Sequence, residues 1–288
     1  MGLTNFIPEL WATIAEMELQ KKLVYAQTGV INRDYEGQIQ EQGDTVRINM
    51  IGPVTISSYV KGTSIGDPQE LDSAQTALIV DQAKIYNFMI HDIDKTQANQ
   101  TLMEKFIRQA QYGMADVIDQ FIAALMVAGA SSDNAIGTDG SPKDDMDTVE
   151  TAAYNYLVDL GVKLDDAKVP SDGRWVIVPP WYYGYLIKDK RFTFSGTAQG
   201  DSVLRSGVIG TTANGFTVLK SHNVPNTTAT KYKIVAGHDM ATTFASQLVE
   251  SEAFRPHNHF SDAFKGLHVY GAKVVRPEAL AVLTANIT

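Results

Sequence analysis

The stretch TVRINMIGPVTISSYVKGTSIGDPQELDSAQTALIVDQAKIYNFMIH, residues 45–91, contains two long runs in which apolar and polar residues alternate. In the first run, residues 45–60, Val46 and Ile48 share one face of an extended chain, because side chains on a strand alternate with a period of two. The second run, residues 76–91, alternates in the same way. Together the runs predict the two arms of one long β-ribbon.

A polar segment, KGTSIGDPQELDS at residues 61–73, joins the arms and has the Gly, Pro, Asp and Ser content of a loop at a ribbon tip. On the returning arm, Ile85 faces opposite to Tyr86. Each arm would span about 50 Å at the rise of a strand. A ribbon of this length encloses little core, so it must obtain most of its burial from neighbouring copies. The pattern therefore indicates an assembly rather than an enzyme pocket.

A long helix is predicted over residues 96–128, directly after the ribbon. Its apolar residues recur at steps of three or four, at Leu102, Phe106, Ala110, Met114, Val117, Phe121 and Leu125, and the same face is widened by Met103, Ile107, Ile118, Ile122 and Met126. Such a helix would span about 45–50 Å. A stripe of methionine and aromatic residues at this spacing indicates core packing rather than a cofactor site.

The remainder of the chain mixes short helices and strands. A helix is predicted over residues 144–160, a buried strand over 175–178 with a short aromatic helix after Pro179 and Pro180, and a last strand over 279–283. Near the N-terminus, a helical stripe of apolar residues fits either a core-packing helix or an arm that docks on another subunit. The order of elements predicts an α+β architecture.

Composition narrows the function classes. The 288 residues carry a formal charge of −9 and no cysteine, which excludes disulfide scaffolds and thiolate chemistry. An acidic surface repels a phosphate backbone, so sequence-specific binding of nucleic acid is disfavoured, although such a protein can still enclose nucleic acid. The apolar stretches are shorter than the roughly twenty residues of a membrane span, so no membrane partner is expected.

No group of residues predicts a catalytic, cofactor or metal site, and we expect no enzyme. His257 and His259 could share a face and ligate a metal with Asp239, but a third ligand at a usual spacing is missing. A metal-dependent hydrolase using these three residues is therefore a remote alternative. The acidic cluster Asp144, Asp145, Asp147 and Glu150 is explained by the dipole of the predicted helix.

Four segments, taken in order, form a recognisable series: FIPELW with LVYAQTGVINRDYEGQIQEQGDTVRINMIGPV (23–54), HDIDKTQANQTLMEKFIRQAQYGMADVIDQFI (91–122), WVIVPPWYYGYL (175–186) with GVIGTTANGFTVLKSHNVP, and FKGLHVYGAKVVRPEALAVLTA (264–285). In this order they resemble the major capsid protein of tailed bacteriophages, the Hong Kong 97-type coat fold. The resemblance covers essentially the whole chain.

The resemblance implies a division into an N-terminal arm (1–31), an extended β-hairpin loop (32–91), a peripheral domain with a long spine helix (92–170), an axial domain (171–265) and a strand that returns to the peripheral domain (266–288). It also implies that pentamers and hexamers tile an icosahedral shell around packaged double-stranded DNA. The implied location is the virion capsid, assembled in the cytoplasm of a bacterial host. The implied partners are a separate scaffolding protein, a portal and decoration proteins.

Candidate contacts between subunits lie in the loop and the arm. We predict them at the ribbon tip and at two aromatic residues of the arm, namely Lys61, Gly62, Asp67, Pro68, Glu70, Phe6 and Trp11. A nanocompartment shell that encloses enzyme cargo, as in encapsulins, is an alternative with the same fold. The content of purified particles, nucleic acid or enzyme, distinguishes the two.

Overall fold

The computed structural model describes residues 23–35, 45–51, 56, 58–62, 73–91, 101–146, 149, 151–189, 212–213, 215–258 and 260–287. Within these residues the helices are α1 (Thr101–Gly129), α2 (Ala152–Asp166) and α3 (Pro180–Lys188). The strands are β1 (Thr45–Ile51), β2 (Ser73–Ile79), β3 (Gln82–His91), β4 (Ala135–Ile136), β5 (Arg174–Val178), β6 (Thr212–Ala213), β7 (Phe216–Lys220), β8 (Asn226–Thr227), β9 (Lys231–His238), β10 (Thr242–Phe254), β11 (Ser261–Val274) and β12 (Leu280–Asn286). This mixture of helices and mostly antiparallel strands agrees with the predicted α+β class.

The ribbon differs from the prediction in its pairing. β1 and β2 form an antiparallel ladder from Thr45 opposite Ile79 to Ile51 opposite Ser73. The described residues of the outgoing arm beyond Ile51 are not in a strand. The second half of the returning arm, β3, leaves this ladder and pairs with β11. The prediction of one continuous ribbon over 45–60 and 76–91 was therefore wrong, because a period of two identifies a strand and its faces but not its neighbour.

β3 is one edge of a three-stranded sheet with the order β10–β11–β3. β10 and β11 form a long antiparallel hairpin whose register shifts between Leu248 and Glu250, the position of a β-bulge. Helix α1 packs on one face of this sheet, where Ile107 joins a small apolar cluster with Phe264 of β11. The alternation predicted for the returning arm is confirmed, since Ile85 is exposed and Tyr86 lies on the side facing the helix.

Helix α1 confirms the predicted long helix, with its described residues beginning at Thr101. Its buried face has a different centre from the predicted stripe and comprises Ile107, Gln111, Met114, Ala115, Ile118, Asp119, Ile122, Ala123 and Met126. Val117, predicted for the middle of the stripe, is exposed instead. The buried face therefore centres on the residues that were predicted only to widen the stripe. It also includes the polar side chains of Gln111 and Asp119.

Helix α2 begins eight residues later than predicted, at Ala152 rather than Asp144. The preceding chain is held by β12 instead, because the Lys143 N–H donates to the Thr284 carbonyl and the Asn286 N–H donates to the Lys143 carbonyl. Asp144 and Asp145 consequently lie before the helix, and its first turn contains no acidic residue. The dipole explanation for the acidic cluster was wrong for these two residues; Asp147 and Glu150 lie outside the described residues.

The largest core lies around a seven-stranded sheet with the order β4–β12–β9–β5–β7–β6, in which β8 pairs with β9. Every residue of β5 is buried, which confirms the buried strand predicted at 175–178. The predicted aromatic helix and last strand are also confirmed, as α3 and β12. β12 pairs with β9 on one side and with β4 on the other. How these strands divide into the expected domains stays a prediction.

Residues Ile107–Gly129 of α1 are long and apolar enough to satisfy a length-and-composition criterion for a membrane span. The core helices of globular proteins satisfy the same criterion. Ile118 and Ile122 of this segment are fully buried against the rest of the chain, so the segment reads as a core helix.

Candidate assembly surfaces

The base of the ribbon packs on the sheet of its own chain. Val46 and Ile48 of β1 and Leu78 of β2 are buried, and together with Val80 they form an apolar cluster with Ala245 of β10 and Val269 of β11. These positions agree with the alternation predicted from the sequence. The prediction that the ribbon has little core of its own is therefore wrong for this base.

A glycine allows the ribbon to approach the sheet at the point where β2 passes into β3. A Cβ atom built on Gly271 of β11 would lie 2.4 Å from the Ile79 carbonyl oxygen and 2.9 Å from the Val80 Cα. Both distances are shorter than real Cβ atoms tolerate, and the opposing atoms belong to the backbone. We call residues 79–81 the hinge of the ribbon, because the chain here leaves one sheet and enters another.

Beyond the paired ladder the ribbon exposes large apolar side chains. Ile56 is 94% exposed and Tyr59 is 71% exposed, and Val60 next to them is also exposed. Lys61 and Gly62, two of the predicted contact residues, follow directly and are exposed as well, with Gly62 at a φ of 90°. The other predicted contacts, Asp67, Pro68, Glu70, Phe6 and Trp11, lie outside the described residues.

A second uncovered apolar surface lies on the three-stranded sheet, on the face opposite α1. Ile85 and Met89 of β3 point outward there and are 75% and 48% exposed. In the ladder with β11, Ile85 stands opposite Leu267 and Met89 stands opposite Ala263. The row of residues between these two pairs is polar. It ends in an ion pair between β11 and β10, in which Lys265 Nζ lies 2.8 Å from Glu252 Oε2.

Asp119 of α1 fixes residues 24–26, which lie near the end of the predicted arm. Its Oδ2 accepts the N–H of Val24 at 2.8 Å, and its Oδ1 accepts the N–H groups of Tyr25 at 3.1 Å and Ala26 at 3.4 Å. The same segment then pairs with β10, since the Asn32 N–H donates to the Thr242 carbonyl. The described end of the predicted arm is therefore held on α1 and β10 of its own chain.

The environment of Asp119 changes its titration. Burial raises the pKa of Asp119 to about 6, while the three backbone N–H groups act in the opposite direction and the nearby Asp116 adds to the increase. Asp119 also lines a cleft of about 130 Å³ together with Tyr112, Lys220 and His222. Sequence reasoning missed this residue. The available signal was an acidic residue inside the apolar stripe of a long helix.

The residues of the hydrolase hypothesis are not brought together. Asp239 precedes β10 and His257 follows it, so the 13-residue strand separates the two residues by roughly 40 Å. His259 lies outside the described residues. In the described part of the chain, no group of three or more His, Cys, Asp or Glu side chains could hold a metal ion. A shared ion at Asp239 and His257 is thus contradicted by the geometry.

The exposed apolar residues next to the ribbon base and on the three-stranded sheet are the kind of surface that neighbouring subunits cover in an assembly. The model of the phage capsid protein family matches residues 74–283, most of the chain. The chain belongs to the phage capsid protein family. The resemblance to the Hong Kong 97-type coat protein is thereby confirmed, and family and fold point to a structural rather than an enzymatic role.

Solved structures agree with this assignment. A structure of Mycobacterium phage Che8 is 29% identical, covers 91% of this chain and 90% of that chain, and has a TM-score of 0.72. The capsid structure of the cyanophage P-SCSP1u is 16% identical over 87% of this chain and 85% of that chain, with a TM-score of 0.69. The holo-SrpI encapsulin complex from Synechococcus elongatus is 12% identical over 92% of both chains, with a TM-score of 0.51. The last two share the fold alone. A search of curated proteins found no match.

Proposed function

We propose that this chain is the major capsid protein of a tailed phage, and that pentamers and hexamers of it form an icosahedral shell around double-stranded DNA. Membership of the phage capsid protein family supports the proposal. The formal charge of −9 fits an inner wall that encloses DNA without adhering to it. The expected location is the virion capsid, after assembly in the bacterial cytoplasm with a scaffolding protein, a portal and decoration proteins.

The observation that carries the proposal is the uncovered apolar segment of the ribbon. Ile56, Tyr59 and Val60 are exposed within five residues. Large apolar patches on soluble proteins usually mark interaction sites. In a shell made of identical copies, a neighbouring subunit is available to cover them. The segment also ends at Lys61 and Gly62, so it adjoins two of the residues predicted to contact a neighbour.

The remaining contact residues are proposed on the same basis. Asp67, Pro68 and Glu70 belong to the loop between β1 and β2, and Phe6 and Trp11 precede the segment held by Asp119. We propose that loop and arm both reach neighbouring subunits. The proposed domain plan consists of the arm over 1–31, the loop over 32–91, the peripheral domain over 92–170, the axial domain over 171–265 and the return strand over 266–288.

Two sets of substitutions test the proposal. The double variant Ile56→Ser/Tyr59→Ser removes apolar surface that is largely exposed in the subunit, so the subunit should fold normally but assemble poorly. The matched control Val162→Ser removes an exposed apolar side chain from α2. Sedimentation and electron microscopy should show closed shells for the wild type and the control, and mainly free subunits for the double variant. Normal shells from the double variant would contradict the proposed role of the ribbon.

The content of the particles tests the nanocompartment alternative. The shared fold with an encapsulin keeps this alternative open. Particles produced with the scaffolding protein and the packaging machinery should contain double-stranded DNA. Particles that instead contain one enzyme in fixed proportion to the shell would favour the nanocompartment.

A further inference from the structure

A buried histidine lies beneath α1 on the three-stranded sheet. His268 is 4% exposed, and its ring centroid is 5.9 Å from that of Tyr270, two residues along the same face of β11. Tyr270 meets Phe121 of α1 edge to face, with ring centroids 5.5 Å apart. On the other side of His268 along the same face, Phe264 joins a cluster with Ile107 of α1. His268 therefore lies between two contacts of the long helix with the sheet.

The polar atoms of this histidine are unpaired. Among the residues that the structure describes, neither ring nitrogen of His268 has a hydrogen-bond partner, and the Tyr270 hydroxyl also lacks one. Buried polar atoms are normally paired. Because the imidazole makes ring contacts but no hydrogen bond here, it fills its place as a neutral aromatic group.

The charged groups around His268 do not favour a second positive charge. Arg33 stacks on Phe244 of β10, with its Cζ 5.3 Å from the ring centroid, and its charge acts on His268. Lys84 of β3 stands opposite His268 in the ladder, and the buried Gln111 of α1 is uncharged. Asp81 acts on Tyr270 rather than on His268. Burial, and secondarily Arg33, lower the pKa of His268 to about 4.

We propose that His268 makes the packing of α1 on β11 sensitive to acid: the neutral ring allows the close contact, and a proton on the ring loosens it. No carboxylate among the described residues forms an ion pair with His268 that would compensate the added charge. The effect belongs to the folded subunit and does not depend on shell assembly. Its physical basis is that the unfolded chain binds a proton at His268 more readily than the folded chain does.

The pH dependence of folding tests the proposal in the full-length unassembled chain. We compare the wild type with His268→Gln, which cannot be charged, and with His257→Gln, which changes an exposed histidine in the turn after β10. Between pH 7 and pH 5, the folding equilibrium constant of the wild type should fall about 20-fold more than that of His268→Gln. His257→Gln should follow the wild type. Parallel losses in the wild type and His268→Gln would overturn the proposal.

Two further measurements test where the effect acts. The first uses only the wild type, so it does not depend on whether His268→Gln folds. The imidazole of His268, followed by NMR in the wild type, should titrate with a midpoint near 4, and a midpoint near 6.5 would overturn the proposal. Between pH 7 and pH 5, amide exchange in α1, corrected for the intrinsic exchange rate, should accelerate more in the wild type than in His268→Gln. An equal change in the two proteins would show that the helix contact is not the sensitive element.

Discussion

Asp119 offers the sharpest test of how the segment before the ribbon is fixed. Asp119→Ala removes the acceptor of three N–H groups, of which those of Tyr25 and Ala26 are buried. An unpaired buried donor costs about 1–3 kcal/mol, and Val24 is partly accessible to water, so the free energy of unfolding should fall by about 3–5 kcal/mol. Asp119→Asn keeps Oδ1 for Tyr25 and Ala26 and should lose about 1–2 kcal/mol.

The assay is urea unfolding of the unassembled subunit, combined with amide exchange of residues 23–31. Asp116→Ala is the control, since its partly exposed carboxylate accepts from Gln120 in the same helix, at 2.9 Å, and its loss should stay below about 0.5 kcal/mol. Amide exchange at 23–31 should accelerate for Asp119→Ala but not for Asp116→Ala. Equal losses for the two alanine variants, or unchanged exchange at 23–31, would refute the assigned role.

The pH dependence provides a second readout for the same residue. Because the pKa of Asp119 is raised to about 6 from 3.8, the folded state binds the proton more tightly, and this contribution to stability is complete below pH 4 and lost as pH rises through 6. The free energy of unfolding of the wild type, relative to Asp119→Asn, should therefore increase by about 2.4 kcal/mol between pH 7 and pH 4. A constant difference across this range would contradict the raised pKa.

Three further substitutions test packing. Gly271→Ala places a Cβ against the backbone of Ile79, so the free energy of unfolding should fall by about 1–3 kcal/mol, with faster amide exchange at the hinge. Gly113→Ala, in open space on α1, is the contrasting glycine and should raise the unfolding midpoint by stabilising the helix by about 0.5–1 kcal/mol. Arg174→Met removes donors to Asp165 and to two backbone carbonyls and should lower stability by about 2–3 kcal/mol in urea titrations; a neutral result would show that the buried guanidinium is dispensable.

The sequence predicted the secondary-structure elements and their buried faces more accurately than it predicted which elements pair with one another. The period of two placed Ile85 outward and Tyr86 inward, as the structure has them. The period of two could not show that β3 pairs with β11, because the partner lies about 180 residues further along the chain. The alternation of side chains along β3 is the same whichever strand it pairs with. The predicted start of α2 was wrong for a related reason, because Lys143 is hydrogen-bonded to β12, whose residues come much later in the sequence.

Of the candidate surfaces, the sequence predicted the ribbon tip at Lys61 and Gly62 but not the residues that flank it. Ile56, Tyr59 and Val60 belong to the strand arm predicted over residues 45–60. The structure leaves all three exposed. Asp119 was passed over because a single acid in an apolar stripe has no meaning until the backbone of residues 24–26 is placed next to it.

The passage of the ribbon into β3 also determines how the subunit responds to a pull. Tension that acts along β3 loads its ten residues, which are paired in register with β11. Ladder hydrogen bonds run perpendicular to the strands, so the load shears them together instead of peeling them apart one by one. Resistance to rupture at this junction should therefore be high, and a container under internal pressure would gain mechanical strength from it.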